Sequence, residues 1–363
     1  MSKATIRKDL SVLGFCLIFY SVIANLLMIL CMAVCCIYLY IRGGMQVSPS
    51  DIFQEQMSSN TWFMLSVNAF SQYVIAMPVT AWLIRRFVPT IAVRPELPGY
   101  YEKQQDIPGN LYEQYALPED KFHLRDVPAI AAISFFLMTG GGIIGTGLAE
   151  LMGDAAGIEA QNDQVELLLS GSLAATILFV VILAPLAEEL FFRKFLMDLV
   201  KPVSRGGAVF LSAWTFALIH QNIYQFFYAF LLGLLLALIY IKNGKVWLTA
   251  LLHMCINFFG GIVLPKISTL IPDTESILFD ESLSAGWMSN PVILVGCAVY
   301  VLLIFTGMIV TILYAVAGRF TVREDRTTTS FAVFLKALLS SPGMIVYLLV
   351  NAGIAVVSLL QLI

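Results

Sequence analysis

An all-α, polytopic transmembrane helical bundle of about eight to nine membrane helices is the fold this sequence predicts, on three observations. Hydrophobic residues make up 59% of the chain and charged residues only 12%, with a mean hydropathy of +0.85. A water-soluble domain carries about 25% charge, so 363 residues of this composition lack the polar surface to cover a soluble globule. Apolar runs of about 20 residues, the length that crosses a bilayer, recur from end to end. Basic residues gather on alternate connections, which sets the N-terminus in the cytoplasm.

The runs, in order, are 11–41, 61–84, 127–150, 168–192, 207–222, 223–241, 246–265, 291–318 and 342–362. The first is uncharged from Leu10 to Ile41; as a helix it is about 48 Å long and must tilt, protrude or break. It follows Lys3, Arg7 and Lys8 as a signal peptide would, but it far exceeds an h-region of about 7–15 residues, and Arg42-Gly43-Gly44 is a poor cleavage site. It reads as a retained membrane helix. Runs 207–222 and 223–241 meet at Gln221-Asn222, which calls for a tight turn. The longest polar segment, 85–126, is rich in Pro, Tyr and mixed charge without helical or strand periodicity, and reads as a solvated cytoplasmic connector.

Of the 21 Lys and Arg residues, only Arg42 and Lys266 fall outside when the N-terminus is inside. The loops 150–166 and 266–290 are then acidic and external, and an odd helix count places Ile363 outside. A bacterial plasma membrane suits this pattern, with the lipid bilayer as the first partner. Net charge is −3 and no Lys/Arg run alternates with aromatics, so no nucleic-acid partner is expected. The six cysteines lie inside apolar runs with no CxxC pair and read as packing residues rather than a disulfide framework.

Ionisable residues inside apolar spans are the informative ones, because each costs several kcal/mol unless paired or functional. Run 168–192 ends Ala184-Pro185-Leu186-Ala187-Glu188-Glu189-Leu190-Phe191-Phe192-Arg193. Two of only three histidines, His220 and His253, lie in apolar runs, and Asn257 follows His253 by one helical turn. Glu189 and Arg193 share a helix face and read as an ion pair, structural in the first place, with Glu189 kept among the candidate catalytic residues. Glu188 is rotated about 100° away and is left as a base in a low-dielectric setting. His253 and Asn257 project from one face, and His220 approaches from another helix. A base, two imidazoles and a carboxamide suffice for water-mediated hydrolysis. Glu188 deprotonates water with help from His220, and His253 and Asn257 donate to the oxyanion, each worth about 3 kcal/mol in a dry site. Phe216 shapes the pocket.

These residues resemble a known family. E-E-x-x-x-R at Glu188, Glu189 and Arg193, F-x-x-x-H at Phe216 and His220, and H-x-x-x-N at His253 and Asn257 are similar to the three motifs of the CPBP (CAAX protease and bacteriocin-processing) intramembrane proteases. The stretch from Gly233 through Gly244 and Trp247 resembles the lead-in to the third motif. The likeness covers about residues 165–260, with Lys194 where relatives often carry glycine and Asn243 where they often carry threonine. It implies an all-helical intramembrane endopeptidase acting on hydrophobic peptides or membrane proteins, with the first glutamate as base and a site open to the cytoplasm. Zinc is a candidate cofactor through Glu188, His220 and His253, a three-ligand set with an open fourth position; a metal-assisted and a metal-free mechanism stand side by side. The chain then divides into residues 1–126, N-terminal membrane helices and a cytoplasmic loop; 127–265, the catalytic membrane core; and 266–363, the C-terminal membrane helices.

Other protease classes leave no trace. There is no H-E-x-x-H, no intramembrane aspartate pair (Asp154 and Asp198 lie at span ends) and no G-x-S-G, since Ser170 and Ser172 merely flank Gly171. A proton-coupled carrier would show repeated halves, and none is found. The rival from another class is a non-proteolytic scaffold that binds a peptide or membrane partner with the same fold. The peptidase reading carries one geometric demand. His220 lies about 20 Å along its run and His253 only about 10 Å along its own, so the two helices must be staggered or tilted for the imidazoles to meet.

Overall fold

A computed structural model describes residues 3–43, 60–88, 121–158, 171–268, 291–324 and 328–360, with isolated residues of the intervening connections. Most of the 85–126 connector, the tip of the 150–166 loop and nearly all of 266–290 fall outside the described residues. Those described form helices and no strand. Among the described residues, eight helices are long and apolar enough to cross a membrane. We label them, with two shorter ones, α1 (Lys3–Arg42), α2 (Thr61–Phe87), α3 (Leu124–Ala156), α4 (Leu173–Val200), α5 (Arg205–Leu218), α6 (Ile223–Asn243), α7 (Val246–Ile267), α8 (Leu294–Val316), α9 (Phe331–Leu339) and α10 (Pro342–Leu359).

The chain is a multi-pass integral membrane protein, and its surface says so. Leu26, Ile29, Leu30 and Val34 on α1 and Leu302 and Leu313 on α8 all stand more than half exposed. Continuous apolar surface of this kind is stable only against lipid. Inside, Leu10, Leu13, Leu17, Phe192, Phe334 and Tyr347 are buried in the core shared by α1, α4, α9 and α10. With no hydrophobic drive between helices in lipid, close approach depends on small residues. Gly14 of α1 lies backbone to backbone against Gly343 of α10, and Gly141 and Gly145 of α3 lie against the backbone of Tyr228 and Tyr224 on α6, leaving no room for a Cβ.

Run 207–222 is shorter than a full span. It forms α5, a helix of 14 residues, about 21 Å long. Ser204 caps its start by accepting from Gly207 N (3.0 Å). After Leu218 the chain turns through Ile219–Asn222, with Gln221 at φ 51, a left-handed value, and Asn222 caps α6 by accepting from Tyr224 N. α5 is thus a ninth leg that stops inside the bundle, which reconciles nine apolar runs with eight full-length helices.

Three helices widen into π-helical turns before a proline. Phe70–Ala76 precedes Pro78, Ile177–Leu183 precedes Pro185, and Phe259–Val263 precedes Pro265. A proline has no N–H to give and its ring collides with the carbonyl four residues back. Widening the helix one turn earlier removes the collision but leaves one carbonyl without its intrahelical donor. A fourth π-helical segment, Glu189–Met197, has no such proline and carries Glu189 and Arg193.

Candidate active site

The centre of the bundle holds the four charged or ionisable side chains that the sequence singles out on α4 and α7. Glu189 and Arg193, both fully buried, form an ion pair with Nε 3.1 Å from Oε2. Arg193 Nη1 also donates to Ser212 Oγ on α5 (2.8 Å), and its guanidinium lies over the Phe216 ring at 5.1 Å. Glu189 Oε1 accepts from His253 Nδ1 at 3.1 Å. A carboxylate only accepts, so Nδ1 carries the proton and Nε2 is the ring atom turned towards Glu188, 3.7 Å from its Oε2. That distance is too long for a direct hydrogen bond, yet one water can touch both atoms.

Glu188 is held from the other side. Tyr73, in the π-helical turn of α2, donates its hydroxyl to Glu188 Oε1 (3.0 Å). One carboxylate oxygen is therefore fixed and the other faces His253. The paired glutamates, adjacent in sequence, have separate surroundings, as their 100° rotation on a helix requires.

His220 and His253 meet through Phe216. The Phe216 ring lies edge-on to both imidazoles, with centroids 4.9 Å from His220 and 5.5 Å from His253. The stagger that the sequence demands is therefore present between α5 and α7. His220 Nδ1 donates to Phe216 O (2.7 Å); a carbonyl only accepts, which leaves Nε2 as the free ring nitrogen.

Asn257 is placed differently from the sequence reading. Its Nδ2 donates to Val180 O on α4 (2.9 Å). Ala184 N–H bonds Phe179 O in the π register, so Val180 O would need the N–H of the next residue, which is Pro185. The Asn257 amide fills that vacancy. The donor assigned from sequence to an oxyanion is thus engaged with helix backbone, and the signal that could have revealed it is Pro185 lying five positions after Val180.

The trio Glu188, His220 and His253 does not fit a zinc site as placed: among the described residues, no three His, Cys, Asp or Glu side chains are grouped to hold a metal ion. Sequence reasoning missed Tyr73 and Ser212, since a tyrosine or serine in an apolar run carries no periodic signal.

Residues 170–259 match the family model described as type II CAAX prenyl endopeptidase Rce1-like. This segment runs from the start of α4 to just past Asn257 and contains all three motifs, so the resemblance read from sequence is carried by the same stretch. The chain is also 28% identical over 89 residues to UPF0177 protein YxdF of Lactococcus lactis subsp. lactis (strain IL1403), across 24% of this chain and 49% of that protein. The chain thus spans about half the length of the curated relative it matches. No solved structure matches.

Proposed function

We propose that this chain is an intramembrane endopeptidase that hydrolyses peptide bonds of hydrophobic peptides or membrane proteins, with Glu188 as general base. The observation that supports it best is the contrast between adjacent glutamates. Arg193 occupies Glu189, whereas Glu188 is held by a neutral hydroxyl and stands 3.7 Å from the His253 imidazole, with no cation against it among the described residues.

In the proposed reaction a water sits to one side of Glu188 Oε2 and His253 Nε2, in reach of both. Glu188 takes one of its protons as the oxygen attacks the substrate carbonyl. The resulting oxyanion accepts from His253 when Nε2 is protonated, with the ring held in position by Glu189 and Arg193. His220 Nε2 assists proton movement at the same centre, in line with its free ring nitrogen. Collapse of the tetrahedral species breaks the C–N bond, and the proton held by Glu188 passes to the leaving amine. Water is divided between the two products. Asn257 holds α7 to α4 beneath this centre.

The experiment compares membrane-enriched peptides from cells carrying the wild-type chain and Glu188→Gln. Accumulation of an uncleaved peptide in the variant supports the endopeptidase. An identical peptide profile with the cellular effect retained sinks it and favours the scaffold reading.

A further inference from the structure

A chain of amides joins the first and last described membrane helices to the turn that carries His220. Asn25 Nδ2, on α1, donates to Ser21 O (2.8 Å) and to Gln221 Oε1 (3.0 Å). Gln221 Nε2 donates to Asn351 Oδ1 on α10 (3.0 Å), which also accepts from Ser21 Oγ (2.9 Å). Asn351 Nδ2 donates to Tyr347 O (2.8 Å). The chain begins and ends on backbone carbonyls, which only accept, so the orientation of every amide in it is fixed. Asn351 and Ser21 are each 1% exposed, and an intramembrane amide is costly unless satisfied in this way.

Gln221 is also the one described non-glycine residue with positive φ, at 51°. A side chain is held in that conformation only where its surroundings over-determine it, and such residues cluster at functional sites. The need for restraint is local. α5 ends inside the bundle, where Ile219, His220 and Gln221 N–H donate to Thr215 O, Ala217 O and Leu218 O and leave Phe216 O to a side chain. Thr215 O accepts from Tyr347 Oη on α10 (3.4 Å), and Phe216 O accepts from His220 itself. Without an anchor on the next residue, the His220 ring would be free to leave Phe216 O and exchange tautomers.

Resting on the peptidase reading for its purpose, we infer that Asn25, Gln221 and Asn351 are positioning residues that lock the His220 ring with Nδ1 on Phe216 O and Nε2 free for proton handling. All three act through His220 and none touches the reacting atoms. Asn25 and Asn351 lie outside the matched segment 170–259, which makes α1 and α10 part of the active-site machinery rather than a membrane anchor.

The test needs no substrate. The 363-residue chain has three histidines, so its imidazole nitrogens, labelled with 15N in detergent micelles or nanodiscs, are assignable with a His123→Ala background. Wild type should show His220 in the Nδ1–H tautomer. Gln221→Gly removes the amide while easing the left-handed backbone, so it tests the lock without adding strain; Asn351→Leu removes the other end. Both should shift His220 towards averaged tautomers and leave His253 unchanged. An unaltered His220 signal in the two folded variants overturns the proposal. Turnover of a cleaved peptide, once found, should fall about 10- to 100-fold in kcat with KM unchanged. Absence of any wild-type cleavage would count against the peptidase and not against the lock, which the tautomer reads independently.

Discussion

At the scale of single residues, the site separates two glutamates that differ by one position. Glu188→Gln keeps the shape of the side chain and cannot take a proton, so it should abolish turnover while the unfolding midpoint in detergent stays near wild type. Glu189→Gln and Arg193→Met each leave a partner charged and fully buried, and breaking such a pair costs about 3–5 kcal/mol. Their unfolding midpoints should drop markedly, and equal midpoints for all three variants would erase the distinction. Tyr73 completes the picture from α2. Tyr73→Phe removes one hydrogen bond to Glu188 Oε1 and nothing apolar, so kcat should fall about 10- to 150-fold, as expected for a bond to a charged group worth about 1.5–3 kcal/mol, with KM unchanged. A fall confined to KM would mean that Tyr73 contacts substrate instead. The glutamates and histidines were legible in sequence because charge in an apolar run is conspicuous. Tyr73 was not, because its role depends on α2 packing beside α4, a contact that no local pattern encodes.

At the scale of elements, prolines govern the shape of the helices around the site. In α2, α4 and α7 the helix widens in the turn before a proline, and in α4 the resulting vacancy at Val180 O is filled from α7 by Asn257. This coupling predicts a compensating pair. Asn257→Leu should destabilise the protein by about 1–3 kcal/mol, the cost of a buried carbonyl left without a donor. Pro185→Ala restores a backbone N–H at that position, so adding it to Asn257→Leu should recover a large part of the loss. Unfolding of the four proteins in a double-mutant cycle measures this coupling, and simple additivity would sink it. The sequence showed that α4 and α7 belong together through their polar residues. It did not show how Asn257 is used, because a carboxamide one turn after a histidine suits an oxyanion donor as well as a backbone splint, and only the π register before Pro185 separates the two.

At the scale of the whole molecule, contacts at the helix ends bear on orientation. Arg7 Nε at the start of α1 donates to Ser340 O between α9 and α10 (2.8 Å). Glu324, in the connection after α8, accepts from Ser204 Oγ and from the first N–H groups of α5 (2.7–2.9 Å). Asn243 at the end of α6 exchanges two hydrogen bonds with the Phe122 backbone (3.1 and 2.7 Å) just before α3, and Phe122 lies beneath both Lys242 and Arg319. The starts of α1, α3 and α5 and the ends of α6 and α8 thus make the contacts of one side of a bundle whose passes alternate, with α5 serving as a short leg. The existence of nearly every helix was legible from apolar run length; the early stop of α5 was not, because Ile219 continues the apolar run and the break comes from the Gln221 turn and its amide partners on other helices. Lys and Arg crowd this side, while the opposite ends carry Arg42 and Lys266. We propose, from this excess of positive charge, that this side faces the cytoplasm. Single cysteines at Asn110 and Ser282, which lie outside the described residues, test it in a chain whose six native cysteines have been replaced. An impermeant thiol reagent added to intact cells should label Ser282→Cys and spare Asn110→Cys until the cells are opened. The reverse pattern would invert the protein and place the side rich in Lys and Arg, where α1, α3 and α5 start, on the exterior.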